Sequence, residues 1–314
     1  MAGGARGGPE DECPTCAAGP HTDPEQTKGT RAGVEAPAPY RARPTSVLAS
    51  AMLTLHTPHA NRNPDSAAPG CVQCRKGTEL GFDFVFAYQP IVDLASRSVF
   101  AHEALVRGPS GESAFSILSK VNDDNRYAFD QACRAEAIRG AAALGMKERL
   151  SINFLPNAVY RPEACIRSTL EAARLYDFPS DRIIFEVTEG ERVQDRAHLV
   201  NIFREYRRFG FQTAIDDFGA GYAGLNLLAE YQPDVVKIDM DLVRGVDASK
   251  PKQAIVTGIV TICTALGVQV LAEGVETAGE RDFLKDAGIR LMQGYLFCKP
   301  AFQALGVIDP ASWG

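Results

Sequence analysis

No apolar run in the 314-residue chain reaches the roughly 18 residues needed to cross a bilayer. The nearest is "SVLASAMLTL" after Arg41 and Arg43, which lies far from the N-terminus and lacks the small-residue cleavage site of a secretion signal. No membrane association is expected, and a cytoplasmic location follows as the expectation. There is no excess of base either. Thirty-three Lys and Arg face 39 Asp and Glu, for a net charge of −6 and a pI near 5.5, so DNA or RNA backbone binding is not expected. Any anionic ligand must be held locally. A disulfide framework is not indicated, because Cys133, Cys165, Cys263 and Cys298 fall in apolar or helical segments and read as buried thiols.

What is present changes character near residue 78. Residues 1 to about 70 are rich in Ala, Gly, Pro, Thr and Arg without periodicity, a composition that cannot bury enough apolar surface to fold alone. Residues 1–78 are therefore expected to form a disordered arm, and Met52 inside it offers an alternative start to Met1. Residues 79–314 are expected to form the folded domain. There, short β-rich runs ("FAYQPIVDL", "VFAHEALV", "LSINF", "RIIFEVTE", "FQTAIDDF", "DVVKIDM", "VQVLAEGV", "RLMQGYLF") alternate with helix-length amphipathic stretches, while only "ASRS" joins the first two. Eight strands with helices between most of them predict an α/β fold, a modified (β/α)8 barrel whose first strand is antiparallel. An open doubly wound sheet is the alternative.

From the second run onward each run ends in a polar residue: Glu103, Asn153, Glu186, Asp216 with Asp217, Lys237, Glu273 and Gln293. Barrel enzymes place their chemistry at this rim, so the series predicts one basin lined by carboxylates, amides and a lysine. Strand alternation puts Glu103, Leu105 and Arg107 on one face and turns His102 outward, under a helix. It likewise pairs Lys237 with Asp239. The adjacent Asp216 and Asp217 repel unless a cation or a shared proton offsets them; a solvated turn is the plain alternative. All-oxygen ligands with no histidine among them favour Mg²⁺ or Mn²⁺, and two aspartates can serve two ions in the manner used to cleave phosphodiesters. Arg107 would then clamp a phosphate and Lys237 orient, or help deprotonate, the attacking water.

"EALVRG" (103–108), "SINF" (151–154), "FEVTE" (185–189), "DDFGAGY" (216–222), "VKID" (236–239), "AEGVE" (272–276) and "QGYLF" (293–297) together resemble the EAL-domain cyclic dimeric GMP (cyclic di-GMP) phosphodiesterases. The likeness implies a modified barrel, dependence on two Mg²⁺ or Mn²⁺ ions, and opening of cyclic di-GMP to linear pGpG in bacterial second-messenger signalling. It implies Glu103, Asn153, Glu186 and Asp216 as ligands of one metal and Asp216 with Asp217 for the second. Glu273 would bind the second metal or its water, Lys237 would touch the nucleophilic water, and Gln293 would lend polar support at the substrate side. Gln89 and Arg107 match substrate-contacting positions, and Glu189 an acid that anchors the loop after the aspartate pair. That loop departs from the family's usual hydroxyl-bearing "DDFGTGYSSL": Ala220, Ala223 and Gly224 stand here instead, which predicts fewer partners for Glu189. An EAL-type receptor that binds cyclic di-GMP without cutting it is the competing expectation, and family members often pair as homodimers.

"CPTC" (Cys13, Cys16) and "CVQC" (Cys71, Cys74) remain. Their separation far exceeds a zinc ribbon's, whereas His56 and His59 with Cys71 and Cys74 offer zinc-compatible residue types. Zn²⁺ binding, redox sensing and inert thiols all stay open.

Overall fold

The computed structural model describes residues 80–189, 196–221 and 224–314. In chain order its strands and helices are β1 (Val85–Asp93), β2 (Ser98–Arg107), α1 (Ala114–Leu118), α2 (Arg126–Ala143), β3 (Arg149–Asn153), α3 (Pro162–Cys165), α4 (Arg167–Leu175), β4 (Ile183–Thr188) and α5 (Arg196–Arg208). There follow β5 (Gln212–Phe218), α6 (Gly224–Glu230), β6 (Val235–Ile238), α7 (Met240–Val243), α8 (Lys250–Leu266), β7 (Gln269–Ala272), α9 (Ala278–Asp286), β8 (Leu291–Met292) and β9 (Ala301–Phe302).

Strands β2 to β8 run parallel in sequence order, and β1 closes the ring by pairing antiparallel with both β2 and β8. The closed barrel with a reversed first strand is the expected fold; the open sheet is ruled out. Closure leaves the main barrel without free strand edges. Two details differ from the sequence expectation. The eighth run contributes only Leu291–Met292 before the chain turns away, and a further short strand, β9, pairs with Ala87 and Tyr88 of β1. The "ASRS" link is a tight turn in which Arg97 takes a positive φ of 51°.

Apolar side chains divide between two cores. The larger lies between strands and helices, where each helix lays its apolar stripe on the barrel wall. The smaller fills the barrel itself and comprises Ile91, Ala101, Ile184, Ala214, Val235, Leu271 and Leu291, one from every strand of the ring except β3. Side chains on a strand return to the same face every second residue. Two residues rimward from those seven stand Gln89, Glu103, Glu186, Asp216, Lys237, Glu273 and Gln293. The polar layer therefore stands directly above an apolar floor, on the same face of each strand.

Candidate metal centre

The polar layer does not coincide with the strand ends. Glu103 lies four residues before the end of β2, and Glu186 and Asp216 two before the ends of β4 and β5, whereas Glu273 and Gln293 each lie one beyond their strands. The expectation that every run terminates at its functional residue is corrected here: the stagger of a closed barrel puts different strand positions at one height.

Lys237 stands at the middle of this layer. Its Nζ lies 2.7 Å from Glu273, 3.0 Å from Glu186, 3.1 Å from Asp216 and 3.6 Å from Glu103, with the side chain only 1% exposed. Burial works against the ammonium, but Asp216, Glu103, Glu186 and Glu273 outweigh it and hold the Lys237 pKa well above its ordinary value. In this arrangement Lys237 is an ammonium ion-paired with four carboxylates at once.

One cation is outnumbered by five carboxylates, and their protonation shows it. Burial, reinforced by Glu103 and Asp216, pushes Glu186 up to about 8 despite Lys237. Burial and the neighbouring Asp216 push Asp217 up to about 6, and burial raises Glu273. Oxygen ligands crowd into two sets whose atoms lie within 4.8 Å of one another: Glu103, Glu186 and Asp216, then Asp216, Asp217 and Glu273. Asp216 belongs to both. A donor set of carboxylate oxygens that outnumbers its one buried cation fits two hard divalent cations sharing one carboxylate.

Strand alternation alone would turn Asp217 away from Asp216. The backbone prevents this: Asp217 adopts a φ of 52° and the β5–β6 register slips between Ile215 and Phe218, the signature of a bulge that re-aims a side chain. The Asp216 carboxylate accepts the Asp217 backbone N–H at 2.9 Å. Asn153 donates to Glu103 at 3.0 Å and to Glu186 at 3.4 Å; a half-turn of the amide would present its oxygen instead. Gln293 is buried and donates to Glu103 at 2.8 Å and to Gln89 at 3.2 Å, and Gln89 donates to the Cys298 carbonyl at 3.2 Å. Gln293 thus holds Glu103 directly, and Gln89 holds Gln293. Arg107 is not drawn into the cluster. Its guanidinium donates to the Val106 carbonyl at 2.7 Å, and the residue lines a cavity of about 300 Å³ together with Asn153, Phe154 and Thr188.

Glu189 is held by the backbone of the loop after the aspartate pair. Its carboxylate accepts the backbone N–H groups of Gly219 at 2.8 Å, Gly221 at 3.2 Å and Gly224 at 2.6 Å. Backbone donors thus hold the loop where hydroxyls were expected to be missed. A Cβ on Gly224 would come within 2.6 Å of the Phe218 ring and 2.9 Å of Glu189, so glycine is what lets the carboxylate approach. Asp239 caps α7 through the Asp241 N–H. His102 is buried, its Nδ1 4.0 Å from Glu148. The pairs Cys13–Cys16 and Cys71–Cys74, with His56 and His59, lie outside the described residues.

Sequence reasoning missed a second buried charge cluster, Asp130, Arg134 and Tyr206, on the far side of β3 and β4. The signal was available: Asp130, Cys133, Arg134, Ala137, Ile138 and Ala141 form the buried stripe of α2, with two charges at i, i+4 on its core face.

Comparison with known proteins agrees with this geometry. The blue light- and temperature-regulated antirepressor BluF of Escherichia coli is 36% identical over 215 residues, 68% of this chain and 53% of that protein. Cyclic di-GMP phosphodiesterase PdeB of Shewanella oneidensis is 34% identical over 151 residues, 48% of this chain and 18% of that protein. The chain thus spans about half the length of the first of these relatives and less of the second. A standalone versatile EAL protein from Vibrio cholerae, solved in its c-di-GMP bound form, superposes with a TM-score of 0.73 at 53% identity, covering 75% of this chain and all of that one. The EAL domain model matches residues 76–300, and with that match over most of its length the chain belongs to the EAL domain family.

Proposed function

We propose that the protein is a cyclic di-GMP phosphodiesterase that opens the cyclic dinucleotide to linear pGpG with two divalent ions. The observation that carries this is the pair of oxygen sets sharing Asp216, arranged around a buried lysine. Glu103, Glu186 and Asp216, with Asn153, would hold one ion; Asp216, Asp217 and Glu273 the other. Bound Mg²⁺ or Mn²⁺ would supply charge to polarise the phosphodiester and acidify a water. Lys237 orients that water as a hydrogen-bond donor, Arg107 clamps a phosphate at the edge of the cavity, and Gln89 and Gln293 keep Glu103 in place. Residues 79–314 form the catalytic unit on this reading, because the whole polar layer lies within them, and no DNA, RNA or membrane partner is called for.

Support comes from a relative named as a cyclic di-GMP phosphodiesterase and from a structural neighbour that binds cyclic di-GMP. Among the described residues no helix is long and apolar enough to cross a membrane. A homodimer is part of the proposal, since α8 exposes Ile255, Ile262 and Leu266. A binding-only receptor is the second reading, favoured by the antirepressor among the relatives; retention of every carboxylate and of Lys237 argues for hydrolysis. The test is incubation with cyclic di-GMP under Mg²⁺, Mn²⁺, Ca²⁺ or chelator, with chromatography for pGpG and calorimetry for binding. Product with Mg²⁺ or Mn²⁺, and binding with little cleavage in Ca²⁺, are expected. Binding without product in every metal would leave the receptor reading, and equal hydrolysis in chelator would end the two-metal reading.

A further inference from the structure

We infer that Asp130, Arg134 and Tyr206 are positioning residues that set the spacing of Asn153 and Glu186 from the opposite face of the barrel wall; the inference rests on the metal-centre reading above. Arg134, on α2, is fully buried with Asp130 one turn before it, their charged atoms 2.8 Å apart. Its Nη1 donates to the Tyr206 hydroxyl of α5 at 2.6 Å. Burial works against the guanidinium charge, but Asp130 and Tyr206 outweigh it and raise the Arg134 pKa above its ordinary value.

Three rings enclose that guanidinium: Phe185 at 4.9 Å, Tyr206 at 5.4 Å and Phe154 at 5.5 Å, within range for cation–π attraction. Phe154 follows Asn153 directly, and Phe185 precedes Glu186. Neighbours on a strand point to opposite faces, so the ring on the outer face and the ligand on the inner face move as one. The backbone is tied down as well. The Phe154 N–H bonds the Glu186 carbonyl at 3.0 Å, and Asp130 accepts the Leu155 N–H at 2.9 Å. Two residues beyond Asn153 the chain is thus fastened to the ion pair itself.

An apolar replacement of comparable volume is commonly neutral or stabilising for a buried ion pair. What hydrocarbon would not supply is direction: a hydrogen bond to one N–H and one hydroxyl, and a planar cation over particular rings. Mg²⁺ and Mn²⁺ demand closer ligand geometry than Ca²⁺. Removing the clamp should therefore cost affinity for the smaller ions more than for Ca²⁺.

The experiment compares the full chain with the double variant Asp130→Leu/Arg134→Met, which leaves no lone buried charge, and with Tyr206→Phe, which deletes one hydroxyl. Expected are unchanged or raised urea stability for the double variant, about a 10-fold loss of Mn²⁺ affinity by calorimetry, and less than about a twofold change for Ca²⁺. Tyr206→Phe should shift the Mn²⁺-to-Ca²⁺ affinity ratio in the same direction by less, and it decides the matter if the double variant does not fold. An unchanged ratio in a folded variant overturns the inference. Should the parent itself bind neither ion, the metal reading fails separately, and the Asn153 side-chain amide resonance in chelator decides: displacement in the variants supports the clamp, and no displacement overturns it.

Discussion

Buried charge lies on both sides of the barrel wall at β3 and β4, and the two sides treat it oppositely. Outside, Arg134 meets Asp130, the Tyr206 hydroxyl and three aromatic rings. Inside, Lys237 faces Glu103, Glu186, Asp216 and Glu273 at once, with Asp217 beside them. One charge answered by one charge and a set of directed bonds is a structural arrangement. Five acids around one base are not, since protein interiors tolerate charge only when it is paired. The inner face carries an excess of acid that divalent cations would offset, and burial, reinforced by that excess, raises its carboxylate pKa values.

The sharpest way to break the comparison is to remove the residue common to both oxygen sets. Asp216→Asn should lower pGpG formation about 1,000-fold while leaving the folded protein intact, because the inner face loses a surplus acid. Activity within tenfold of the parent, measured by chromatography in Mg²⁺, would mean that Asp216 is not shared between ions.

On the outer face the same logic predicts damage to stability. Arg134→Ala strands Asp130 without its cation, and should cost about 3–5 kcal/mol in urea unfolding with chelator present. A loss below 1 kcal/mol would show the ion pair to be dispensable and would blur the contrast between the faces.

The smallest effect is a pH dependence confined to the inner face. Glu186 at about 8 and Asp217 at about 6 lie above their ordinary values of 4.5 and 3.8, so between those limits the fold binds more protons than the unfolded chain. Stability from these groups is complete below about pH 4 and is lost as pH rises through 6 and then 8. In chelator, melting temperature should fall by a few degrees across that window, saturating Mg²⁺ should flatten the fall, and Asp217→Asn should remove its lower part. A melting temperature that rises with pH in chelator would contradict the sign.

Much of the inner face was legible because it depends on short-range rules. The period of two along each strand fixes which residues share a face, so Glu103, Glu186, Asp216 and Lys237 could be named from the runs that contain them. Asp217 marks where the rule stops. Alternation sends it outward, and only a positive φ and a slipped register bring it back beside Asp216. Glu189 marks another limit. Counting hydroxyls in its loop missed the backbone N–H groups of Gly219, Gly221 and Gly224, which any sequence possesses and only a folded loop aims at one carboxylate.

By itself, then, the sequence determined the alternation of strands and helices, the reversal of the first strand through a four-residue link, and the chemical character of the polar layer. Those features are written in neighbours along the chain, where covalent geometry and side-chain period decide the outcome. Tertiary structure alone decided which acids crowd together, that Asp216 serves both sets, that Gln89 and Gln293 link up beside Glu103, and that an arginine on α2 sits behind the strands that deliver Asn153 and Glu186. These are distances between segments tens to hundreds of residues apart, and they exist only once the ring of strands has closed with its particular stagger.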